Sequence, residues 1–190
     1  MPSADYDLRY LNAGIEQLEP YLFSKEIYWS LGIRSSRDET PYPQLTLGGM
    51  LLSRYRLSAT AITEVEKQEF TRIGEQMDSI RTGWRQTWSN KAQTEFQARL
   101  KLWQIFIEEY LEKPTSNFDR YKFEVGRRVL LDLLKIECLK MPNAKVELLG
   151  MLDMRLQNII IISDFIWENI LEQIFPPDQY WYLYGYLPKN

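Results

Sequence analysis

Apolar residues recur at three- and four-residue intervals along most of this chain. Leu8, Leu11, Ile15, Leu18 and Leu22 form the first series. It predicts a helix over about residues 3–19, with Pro20 opening another short turn. The period is lost in "KEIYWSLGIRSSRDETPYPQ" (25–44), where Gly32, Ser35, Ser36, Pro41 and Pro43 gather, so this stretch is predicted as loop. Thr46 then stands as an N-cap before "LGGMLLSRYRL", predicting a helix over Leu47–Leu57. Gly48 and Gly49 fit close helix packing, because no Gly-x-x-x-x-Gly-Lys follows and no strand precedes them.

From Ile62 the apolar phase runs almost unbroken through Val65, Phe70, Ile73, Met77, Ile80, Trp84, Trp88, Phe96, Leu100, Trp103, Ile107 and Leu111. One helix over that span would be about 75 Å long. A compact domain of this size is only about 42 Å across. The stretch "RTGWRQTWSNKAQ" (81–93) holds Gly83, then Asn90 as an N-cap with Gln93 three residues on. An antiparallel pair over roughly 60–82 and 90–112 is therefore expected, with one protruding helix as the alternative. "KPTSNFD" (113–119) is a break, after which Asp119 or Asn117 caps a helix over about 119–140, ended by "MPNA" (141–144).

The last periodic run predicts a long helix from Lys145 to about Phe175, stopped by Pro176-Pro177. Leu148, Leu149, Leu152, Leu156, Ile159, Ile160, Ile166, Trp167, Ile170 and Ile174 share one arc of it, and Ser163 in that arc is expected to bond back to the Ile159 carbonyl. Met151, Met154, Ile161, Ile162 and Phe165 make a second apolar cluster across the wheel, as in a central helix or one that meets a partner. The chain then closes on "YWYLYGYLP", with Tyr180, Trp181, Tyr182, Tyr184 and Tyr186 within seven positions. Rings that each bury about 150–250 Å² do not stay loose in water. The segment is expected to lie extended in a groove of its own helices, tyrosine hydroxyls outward, with its outer half offering a protein contact. The fold class is thus all-α: a helical bundle of five or six helices over residues 1–175, with an irregular loop at about 25–45, and a docked aromatic tail over 176–190.

Composition narrows the chemistry. The 45% apolar share with 14% aromatics suits a globular domain of 190 residues. The chain contains no histidine and one cysteine, which removes Ser-His-Asp and Cys-His nucleophiles, histidine or thiolate zinc sites and any internal disulfide. Residues 1–155 balance 22 acidic with 22 basic side chains. The net charge of −3 comes from Asp164, Glu168, Glu172 and Asp178 against Lys189. No basic block asks for nucleic acid, although "RYR" (54–56), "RTGWR" (81–85) and "RYKFEVGRR" (120–128) interleave cations with rings able to stack on bases. An internal network of Arg–carboxylate pairs explains the same letters. The opening "MPSADYDLRYLN" lacks a basic patch with an apolar run, and the isoleucine run 159–162 is too short to span a bilayer. The expectation is a cytoplasmic protein with no membrane segment.

Carboxylates are the remaining candidate catalysts. Glu108, Glu109 and Glu112 in "EEYLE", with Glu75 and Asp78 in "EQMD", could hold Mg²⁺ with water. These two stretches resemble, in reversed order, the Glu-Glu-x-x-Glu and Glu-x-x-Asp pairs of the MazG-like all-α nucleoside triphosphate pyrophosphatases, which implies a Mg²⁺-dependent hydrolase. A solvated helix face accounts for them equally. Asp153 and Asp164 are expected to be half buried and paired with an arginine of another helix. Cys138, among Leu133, Leu134, Ile136 and Leu139, fits a packed hydrophobe. The leading reading is a non-enzymatic protein-interaction module, a scaffold, adaptor or accessory subunit, with no catalytic residue and no cofactor. It would act through Tyr180, Trp181, Tyr182, Tyr184 and Tyr186 on a protein partner or by self-association. A nucleic-acid-associated protein and a carboxylate/Mg-dependent hydrolase are the alternatives.

Overall fold

A computed structural model describes residues 3–35, 37, 39–60 and 62–189. Ser36 of the predicted loop lies outside the described residues. Among those described, the chain is mostly helical, with eight α-helices. Among the described residues no helix is long and apolar enough to cross a membrane.

Helix α1 (Ala4–Phe23) begins at Ser3, whose hydroxyl accepts from the Tyr6 amide. It runs on through Pro20 rather than stopping at Glu19. Pro20 is exposed and forfeits a single ladder bond near the C-terminus, while Leu18, Tyr21 and Leu22 on the same turns are buried and hold the helix together. The loop that follows is closed by a reciprocal backbone pair between Trp29 and Leu45, at 3.0 and 2.8 Å. Helix α2 (Leu47–Ala59) starts at Thr46, whose side chain accepts from the Gly49 amide. A β-carbon on Gly48 would stand 2.7 Å from Glu95 Oε1, so this glycine is there for close packing, as its sequence context suggested.

Helices α3 (Glu64–Gly83) and α4 (Arg85–Glu112) do not form the expected hairpin. They are separated by Trp84 alone, at φ −118° and ψ 37°, and α3 packs chiefly on α1 whereas α4 packs chiefly on α6. Asn90 is not a cap. It lies inside α4 and accepts from Gln86. The break satisfies the length limit without a loop, because 20 and 28 residues give rods of about 30 and 42 Å. Buried Trp88, Ala92, Phe96, Leu100, Trp103, Ile107 and Tyr110 form the stripe of α4 that centres the core. Trp84 is 43% exposed and meets Phe23 edge-on at 4.9 Å, so only Trp88 of that pair is core.

After the short α5 (Pro114–Asn117) and a 3₁₀ turn over Phe118–Arg120, α6 (Tyr121–Glu137) crosses α4 and α2. Neither Asn117 nor Asp119 caps it. Asn117 instead donates to the Glu109 and Lys113 carbonyls and so closes α4. Helix α7 (Asn143–Gln157) ends eighteen residues before Phe175, which overturns the long final helix. The run of four isoleucines supplies β-branched side chains that favour a strand once a partner is present. Strand β1 (Ile161–Ile162) pairs antiparallel with β2 (Gly185–Tyr186) from the closing segment, with Ile161 opposite Tyr186. Ser163 therefore has no helical carbonyl to reach, and its amide donates to Tyr184. Between the strands lie a 3₁₀ helix over Asn169–Ile174, α8 (Pro177–Tyr180) and a 3₁₀ turn over Trp181–Leu183. The terminal segment is docked, but as helical turns and a strand, not as an extended tail.

Candidate functional site

The C-terminal segment divides its rings between core and surface. Tyr180 and Tyr182 are 1% and 0% exposed, with Leu183 and Leu187 buried beside them. Burial of Tyr180 and Tyr182 corrects their assignment as contact residues. Their neighbours fix them firmly. Tyr182 donates to Asp132 Oδ2 at 2.7 Å, its carbonyl accepts from Tyr121, and its ring lies under the Arg128 guanidinium at 4.6 Å. The Tyr182 and Tyr184 hydroxyls turn inward, contrary to expectation: that of Tyr184 reaches the Phe175 carbonyl at 2.8 Å.

Arg128, on α6, organises this junction. Its Nε and Nη2 grip Asp153 of α7 at 2.8 and 2.9 Å, and its Nη1 reaches Asp132 at 2.6 Å. The expected arginine partner of Asp153 is thus found, whereas Asp164 lies exposed beyond the helix. Replacing Arg128 by Met should leave two partly buried carboxylates without a cation and cost about 3–5 kcal/mol. Because both acids retain some water, the lower end is expected, a fall in Tm of roughly 6–12 °C by thermal denaturation.

The remaining rings frame an open face. A cleft of about 450 Å³ is lined by Gln157, Ile160, Ile162, Pro177, Trp181 and Tyr184. Ile162 is 85% exposed. Met151, Met154 and Gln157 stand three apart on α7, so the exposed methionines continue this apolar surface along the helix. The Trp181 Nε1 and the Gln157 amide make no hydrogen bond among the described residues and remain as the polar handles of the cleft. Among the described residues no carboxylate, thiol or lysine lines it.

The carboxylate candidates are not assembled into a site. Asp78 is held bidentately by Arg54 at 3.0 and 2.9 Å, which lowers its pKa below the usual range. Glu109 pairs with Arg120, Glu112 with Lys113, and Glu108 accepts from Gln104. Glu75 is exposed. Among the described residues no group of three or more His, Cys, Asp or Glu side chains could share a metal ion, which corrects the reading of Glu75, Asp78, Glu108, Glu109 and Glu112 as one Mg²⁺ set. Cys138 follows α6, donating to the Leu134 carbonyl, and burial pushes its thiol up to about 11, as in a packed and unreactive residue. The sequence did not single out Glu95, fully buried between Arg99 and the Gly48 amide, or Glu137, buried against Trp88 Nε1, Arg81 and Arg85. A charged letter on an apolar face was the signal available for both.

The chain matches no protein-family model, and neither curated proteins nor solved structures show a significant similarity to it.

Proposed function

We propose that the chain is a helical protein-interaction module whose working surface is the cleft face built by α7, β1 and the C-terminal turns. The observation that carries this reading is Ile162, 85% exposed at the rim of a cleft walled by Trp181 and Tyr184. Exposed aromatic and methionine side chains around an apolar hollow favour protein contacts. The occupant is set by charge. Asp164, Glu168, Glu172 and Asp178 make this end of the sequence acidic, with Lys189 the sole cation after residue 155. A second copy would set acid against acid, so the partner is an apolar segment flanked by Lys or Arg on another protein.

A labelled amphipathic Leu–Lys peptide serves as the probe, measured by fluorescence anisotropy, with a Leu–Glu peptide of the same apolar face as control. Saturable binding of the first and none of the second is expected. Ile162→Asp should weaken binding at least about ten-fold with an unchanged Tm. The added negative charge would favour a purely electrostatic contact, so such a loss must come from the apolar face. Equal binding by wild type and variant, or a wild-type dimer by sedimentation, would contradict the reading.

A further inference from the structure

We propose that a trough between α2 and α6, sharing no lining residue with the cleft of α7 and β1, binds a ligand that joins phosphate to a planar ring: a nucleotide, free or within a single strand. Two hollows of about 400 and 380 Å³ adjoin along α2 and share Leu52 and Arg56. Each falls within the range of about 300–1,000 Å³ common for small-ligand sites. Arg99 lines the first hollow, Arg56 lines both, and Lys122, Phe123 and Trp167 line the second.

The two arginines are pre-oriented. Arg56 donates through Nε and Nη2 to Asp7, which is 2% exposed, and also to Ser53. Arg99 donates through Nε to Glu95, which is fully buried, and through Nη2 to Thr46. Their carboxylates therefore lie beneath the trough rather than on it, and hold each planar fork in one orientation. The Nη1 of each guanidinium makes no hydrogen bond among the described residues and is left to a ligand.

More cation stands nearby. Tyr28, 44% exposed, lines the Arg99 hollow. Arg127 beside it is held below its usual range by burial and by the charges of Arg120 and Arg99, and it shares its ion partner Glu124 with Arg120. Lys122 is exposed and forms no ion pair among the described residues. Glu168 lines the second hollow, which assigns the ligand's direction: phosphate toward Arg56 and Arg99, ring toward Phe123 and Trp167. Phe123 is 81% exposed, with no core role, and the Trp167 indole is fixed by a 3.3 Å bond to the Lys122 carbonyl. Fixed cations beside open rings are the pattern that receives nucleotide phosphates and bases.

Labelled single-stranded oligothymidylate, ATP and inorganic polyphosphate are titrated against the intact chain at about 50 and 200 mM salt. Oligonucleotide binding is expected, weakened roughly ten-fold by Phe123→Ala, with the salt slope reduced by about one in Lys122→Gln. Both side chains are exposed, so both variants should fold. Competition by ATP would identify the free nucleotide as the source, and oligonucleotide binding without it would identify a strand. Absence of binding at the lower salt, or polyphosphate binding as tight and indifferent to Phe123→Ala, would overturn the proposal. Ile162→Asp should leave this binding untouched, which separates it from the peptide-binding face.

Discussion

Removing residues 176–190 is expected to leave a chain that no longer folds cooperatively. The segment carries Tyr180, Tyr182, Leu183 and Leu187, each at most 2% exposed. At roughly 1.5–3 kcal/mol for each buried apolar side chain, the loss is about 6–12 kcal/mol. A whole domain is stable by only about 5–15 kcal/mol. Polar losses add to this: Tyr121 loses its acceptor on Tyr182, Tyr110 loses the Pro188 carbonyl, and Asp132 loses a donor. β1 loses its only strand partner among the described residues. Circular dichroism should keep much of its helical signal while the near-ultraviolet signal disappears and a hydrophobic dye binds. A truncated chain that melts sharply within a few degrees of wild type would contradict the role given to this segment.

Alkaline pH should unfold the protein steeply. Tyr10, Tyr21, Tyr121, Tyr180 and Tyr182 are each at most 2% exposed, and burial pushes all five phenols well above 10. A group whose folded pKa is raised adds stability that is fully present below its unfolded value and is lost as pH rises beyond it. The unfolded value is about 10, so the window opens there. Each phenol then withdraws about 1.4 kcal/mol per pH unit, or about 7 kcal/mol for five. Lys91 acts in the opposite sense, because burial against Tyr21 lowers its pKa and neutralisation relieves that penalty as pH rises. It is one group against five. The phenolate absorbance of these five should appear together with loss of helix in a single transition. Gradual ionisation with the fold intact would show that these hydroxyls are open to water.

Local signals carried the helices whose causes are local. Thr46 capped α2 as its letter implied, and the three-and-four spacing of α4 marked its buried stripe. A capping box of Thr63 and Glu66, which the sequence reading did not single out, starts α3. What failed was set by distant residues. Asn90 has the letter of a cap, but packing of α4 on α6 keeps it inside a helix, and the chain bends instead at Trp84. Ile159–Ile162 fit a helical continuation of α7, yet a strand more than twenty residues later captures Ile161 and Ile162. How far the closing aromatics turn inward is not legible locally, because ring count reveals affinity for apolar contact and not its direction. Asp132, which turns the Tyr182 hydroxyl inward, gives no sign of that role in its own neighbourhood of sequence.

Amide hydrogen exchange on the native chain tests most directly whether the aromatic terminus belongs to the core. The Ser163 amide bonds to Tyr184 O at 3.0 Å and the Ile166 amide to Leu183 O at 2.9 Å. If the terminus is core, both should exchange only through openings within about 1–2 kcal/mol of those that release the central amides of α4 and α6. Exchange of the two at nearly unprotected rates, with α4 and α6 still protected, would show a terminus that merely rests on a bundle complete without it.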